Sequence, residues 1–103
     1  MVDPPELVRN RKELVKEMQD KYGYLFCQKC QSVQCGMKFE VHHIVFRSEA
    51  PGHPMLHDKI NLIIVGSDCH QNSPDSFHRK KEVRIPFMIE RGLYEIFGIP
   101  TDY

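Results

Sequence analysis

The sequence predicts an α+β fold, with two short strands and a short helix set between a long N-terminal helix and a C-terminal one. Three observations lead there. Residues 6–22 carry apolar side chains at helical spacing, and two short β-branched runs, 39–46 and 62–65, flank a segment holding proline and glycine. After Pro86 the helical spacing returns. A chain of 103 residues is one small domain, 1–103, with room for one modest core.

The elements follow in order. Pro4 and Pro5 suit the first turn of a helix, with Asp3 beside them at its start. Leu7, Leu14, Val15, Met18 and Tyr22 then make one stripe, and Arg9, Arg11, Lys12, Lys16 and Lys21 lie among acidic residues on the other face. A solvated face is the default for such a run, and contact with a phosphate backbone is the alternative. Gly23 ends the helix, and Cys27-x-x-Cys30 follows in a tight loop. A strand covers 39–46. Residues 47–60, RSEAPGHPMLHDKI, read as an ordered loop, and 62–65 is the second strand. Gly66, Ser67 and Asp68 supply turn and capping chemistry for a short helix beginning near Cys69. The last helix starts at Pro86, places Ile89, Leu93, Ile96 and Phe97 on one face, and stops at Gly98.

Composition narrows the class. Hydrophobic content of 41% and charged content of 27% suit a globular protein rather than a disordered one. Fourteen basic residues balance fourteen acidic ones, so a nucleic-acid partner must be argued from local patches. The segment MVDPPELVRNRKE has no apolar signal core, which argues against secretion or membrane insertion and for a cytoplasmic protein. In that setting four cysteines suggest metal before disulfide. All six histidines fall between His42 and His78. The chemistry is concentrated in the middle of the chain.

The run EVHHIVFRS places two adjacent histidines in a strand, where successive side chains point to opposite faces. The run NLIIVGSDCH then sets Asn61 before the second strand and His70 at the start of the next helix. If the strands pair antiparallel and the helix packs across them, His42, His43 and His70 converge. His42 then shares a metal with His70, while His43 works at the edge of the site. That arrangement suits hydrolysis of a phosphodiester, in which a metal neutralises developing charge and an unliganded imidazole deprotonates water.

These residues resemble the HNH endonucleases. The order HHIVFRS, then NLI, then CH carries the resemblance, which spans about residues 27–78. It implies the ββα-metal (HNH, His-Me finger) fold, with its core at about 39–80, and metal-dependent cleavage of DNA. By motif position His42 and His70 would hold the catalytic divalent ion and His43 would be the general base. Asn61 would hold the loop and orient the base, and His78 is a further candidate ligand. Magnesium or manganese is the implied ion, and histidine-rich sites also accept nickel and zinc. Members of this size are common in bacteriophages, so the resemblance implies a phage-encoded protein in a bacterial cytoplasm. A homodimer or a larger phage or bacterial partner would decide between nicking and double-strand cleavage.

Many members of that family carry a second C-x-x-C, where this chain has Gly66, Ser67, Asp68 and Cys69. Cys27, Cys30 and Cys69 remain for a structural zinc, which takes four ligands. Cys35 is one candidate for the fourth, His53 or His57 is another, and a degenerate, metal-free site is the third possibility. His53 and His57 otherwise read as surface or supporting residues. Arg47, Arg79, Lys80, Lys81 and Arg84 form the basic segments placed to contact phosphates flanking a cut, against the plainer reading of a solvated charge run. Two other function classes compete. One is an inactive zinc module on the same fold that binds DNA or protein. The other is a thiol redox protein, disfavoured because Cys27-x-x-Cys30 lacks the βαβ context such motifs need.

Overall fold

The computed structural model describes residues 3–36, 38–72, 76–77 and 80–99. Helix α1 spans Pro5–Tyr22, strands β1 and β2 span Phe39–His43 and Leu62–Gly66, and helices α2 and α3 span Ile85–Glu90 and Leu93–Phe97. Short 3₁₀ turns at Lys59–Asn61 and Lys81–Arg84, and a π-helical turn at Asp68–Asn72, complete the order. The result is a small α+β domain with a two-stranded antiparallel sheet. No helix among the described residues is long and apolar enough to cross a membrane.

Helix α1 begins with Pro4 at its cap and Pro5 inside the first turn, where a missing N–H costs nothing, and it closes on Gly23 in the left-handed region at φ 80°. Pro4 at the cap makes no side-chain bond to the helix. The buried stripe is narrower than the sequence suggests, because only Leu7, Asn10 and Met18 are buried along it. Asn10 enters the stripe because its Nδ2 donates to His57 O at 2.8 Å. Tyr22 is instead 44% exposed and packs edge-on against Phe26.

The sheet pairs His42 with Ile63 and His43 with Leu62. Alternation puts Ile63 and Val65 on the face of the main core, with Ile44, Val45, Phe77, Met88 and Leu93. Helix α1 packs against β2, whose residues are all buried. Strand β1 ends three residues before the predicted 46, and the cause is Asn61. Ile44 N still donates to Asn61 O, but Val45 N donates at 2.7 Å to the Asn61 side chain rather than to a ladder carbonyl.

The C-terminal helix is not continuous. It breaks at Arg91 and Gly92, where Gly92 takes φ 66° and Arg91 turns its Nη1 to Ile60 O and Leu62 O at 3.1 and 2.6 Å. Carbonyls of the 3₁₀ turn and of the first residue of β2 thus capture the Arg91 side chain. The break rotates the faces, so Met88 and Leu93 are buried while Ile89, expected inside, is 67% exposed.

Candidate metal centre and histidine groove

Cys27, Cys30, Cys35 and Cys69 come together, with all four sulfur atoms within 4.8 Å of one another. A tetrahedral zinc with Zn–S of about 2.3 Å would place its sulfurs about 3.8 Å apart. The described cluster is close enough to hold a metal ion, and an all-thiolate set suits structural zinc. His53 does not join it. Its ring lies 4.5 Å from that of Phe97, and its Nδ1 accepts from Met55 N.

The loop that delivers Cys27 and Cys30 is moored to β2. Gln28 N donates to Ile64 O and Gln28 Oε1 accepts from Ile64 N, both at 2.8 Å, so one residue satisfies the outer edge of the strand. Gln31 N donates back to Cys27 O, closing the turn with Gln31 at φ 63°. Cys35 arrives from the other end of this loop, its Sγ 3.3 Å from Cys69 Sγ. A Cβ placed on Gly66 would collide with Cys35 O and Cys35 Cβ and lie 2.7 Å from its sulfur. Cys35 therefore fills the space that a side chain at 66 would have used, which explains why glycine stands there and how a fourth thiol is supplied.

The thiols titrate in opposite directions. Burial raises the Cys27 thiol, but the backbone amides of Cys30 and Gly66 and the Cys69 thiol outweigh it, and the net direction is down. Burial, followed by the neighbouring thiols Cys35 and Cys27, pushes Cys69 strongly up. Burial also raises Cys30. Four sulfurs this close cannot all ionise unaided, and a divalent cation among them would reverse that preference.

Across the sheet, Glu40 and His42 share one face of β1 by alternation. The His42 and His70 rings lie 4.1 Å apart between centroids, and His70 Nδ1 pairs with Glu40 Oε2. Burial raises the Glu40 carboxyl, but His70 and then Lys38 overcome it, so it is held below its ordinary range and is ionised. An ionised carboxylate on Nδ1 orients the His70 ring, as carboxylates do for metal-binding imidazoles. Glu40 was missed from the sequence, although its spacing of two from His42 would have found it. Phe77 stacks 5.9 Å from the His42 ring and fixes its plane.

His43 lies on the opposite face, buried at 6% exposure, with Nε2 3.0 Å from His57 Nδ1. Burial first, then the Arg47 and His57 charges, lower its pKa to about 4. The ring is neutral at pH 7. His57 is thus tied to His43, and His57 O to α1 through Asn10. Asn61 is fully buried, and its Nδ2 donates to Val45 O and Leu56 O at 3.1 and 3.0 Å. It staples both ends of the loop that separates the strands.

The basic residues divide. Arg47 borders the histidines, and Lys80 is exposed. Lys81 begins the 3₁₀ turn, while His78 and Arg79 lie outside the described residues. Arg84 corrects the sequence reading, because it is only 3% exposed. Its Nη1 and Nη2 reach Glu49 at 2.5 and 2.9 Å, Nη1 also donates to Ile44 O, and the guanidinium lies over Phe46. A bidentate acid partner inside the core outcompeted solvent, and Arg84 is not offered to DNA. Truncating it to alanine strands a buried carboxylate and should cost about 3–5 kcal/mol in urea unfolding. On the nucleic-acid reading, the salt dependence of binding should stay unchanged. A stable Arg84→Ala protein with a reduced salt dependence would restore the phosphate role.

No family model matches the chain, and no curated protein or solved structure is matched by it.

Proposed function

We propose that the chain is a metal-dependent endonuclease of the HNH type that hydrolyses phosphodiester bonds in DNA, on a ββα-metal core stapled by structural zinc. The observation that carries this reading is the approach of His42 to His70 beside an ionised Glu40, with neutral His43 on the next position of the same strand. Two imidazole nitrogens suit nickel or zinc by ligand type, and magnesium or manganese, the ions the resemblance implies, would draw their remaining ligands from water and phosphate oxygens. When bound, that ion would supply charge neutralisation at the scissile phosphate. His42 and His70 would hold it, Glu40 fixes the His70 ring, Asn61 sets the loop that leads away from the base, and His43 takes the proton from water.

Supercoiled plasmid incubated with the protein, with each metal in turn and with or without chelator, tests the proposal. Metal-dependent conversion to nicked or linear DNA is the expected outcome. Intact plasmid under every metal would end the nuclease reading. It would favour the second one, an inactive zinc module that binds DNA or protein, for which the balanced charge and the buried Arg84 speak.

A further inference from the structure

Arg11 and Arg47 come from separate parts of the chain, the middle of α1 and the bend after β1, yet both reach one carboxylate. Arg11 Nη1 lies 2.7 Å from Asp3 Oδ2, and Arg47 Nη2 lies 2.9 Å from Asp3 Oδ1. The three residues stand at a cleft of about 580 Å³ whose walls also include Ser48, His42 and His43. Arg11 borders the adjoining groove as well, with Glu40 and His70. Its Nε is buried and has no hydrogen-bond partner among the described residues.

Asp3 directly precedes the cap of α1, and its carboxylate serves the two arginines. One carboxylate shared between two planar guanidiniums has the charge and the paired-oxygen geometry of a diester phosphate, which arginine binds in the same way. All three side chains are more than a third exposed, so the contacts are screened and exchangeable. The guanidiniums, Arg47 before Arg11, hold the Asp3 carboxyl below its ordinary range, so it stays ionised at neutral pH.

We infer that Arg11 and Arg47 form a binding site for a backbone phosphodiester of nucleic acid, and that Asp3 fills this site from within the chain until a phosphate displaces it. The inference rests on the nuclease reading for its substrate class. Displacement places the phosphate beside His43 and next to the groove of His42 and His70. Asp3 then acts as a resident competitor that weakens binding of other anions.

The test uses the full chain and two probes. In the first, ¹⁵N-labelled protein is titrated with dimethyl phosphate while the side-chain Nε–H signals of Arg11 and Arg47 are followed. Those signals should move in Asp3→Asn at lower probe concentration than in wild type, and Arg11→Gln should blunt the response of Arg47. In the second, binding of a short DNA duplex is measured without added divalent metal. Asp3→Asn should bind about fivefold tighter than Asp20→Asn, the worth of one exposed ion pair, although both remove one negative charge from the chain. Arg11→Gln and Arg47→Gln should each lower the slope of log affinity against log salt by about one. Arginine signals that stay still in Asp3→Asn, or equal affinities for Asp3→Asn and Asp20→Asn, would overturn the anion site whatever the plasmid assay gives. Moving signals with intact plasmid would keep the anion site and remove the nuclease.

Discussion

Cys27→Ser is expected to leave the chain largely unfolded at 25 °C. Structural zinc contributes roughly 10–16 kcal/mol in small domains, comparable to the whole stability of about 5–15 kcal/mol that a domain of this size has. Cys27 is the ligand for which this matters most. It is fully buried, it receives the backbone hydrogen bonds that favour its thiolate, and its loop is moored to β2 through Gln28. Without metal, the Cys35 and Cys69 thiols would sit packed in a core that also contains Val65 and Phe77. Far-UV circular dichroism and metal analysis decide the matter. Wild type should carry about one zinc per chain, and strong chelation should reproduce the unfolding seen in Cys27→Ser. Well-folded wild type without bound metal, or a Cys27→Ser protein that melts like wild type, would remove the zinc staple.

The cysteine cluster also marks how far sequence reasoning reached. Cys27 and Cys30 are a local signal, and the resemblance to the HNH endonucleases brought in Cys69, at the place of their second C-x-x-C. The fourth ligand stayed open among Cys35, His53 and His57. That choice depends on which side chain the loop after Cys30 can deliver, and the answer lies in the space left by Gly66. Helix α1 was legible from its periodicity and both strands from their short β-branched, apolar runs. The end of β1 and the break after α2 were not, since each is set by one polar side chain, Asn61 or Arg91, reaching a distant backbone group. Arg84 failed for the same reason. A basic run advertises charge, but nothing local to HRKKEVR announces that Glu49 waits inside the core. The pairing of His43 with His57 was likewise invisible, because it joins a strand to a loop whose path only the folded chain defines.

His42→Ala and His43→Ala should fail in different ways, although they are neighbours. His42 shares its face with Glu40 and approaches His70, so its loss should raise the metal concentration needed for cleavage, and excess metal should partly restore the rate. His43 faces the other way and is held by His57. Its loss should cost on the order of 10²–10⁴-fold in cleavage rate, the worth of a positioned base, and added metal should not restore it. A second readout tests the burial of His43 independently of cleavage. Its folded pKa of about 4 lies below the ordinary 6.5, so the unfolded chain takes up the proton first as pH falls. The stability His43 contributes is therefore complete above pH 6.5 and is lost as pH drops toward 4, by about 3 kcal/mol for a shift of this size. Wild type should lose more stability than His43→Ala across that window, measured by urea unfolding at each pH. Metal titrations of cleavage distinguish the two roles directly. Rescue of His43→Ala by excess metal, with none for His42→Ala, would reverse them, and normal cleavage by both would end the nuclease reading.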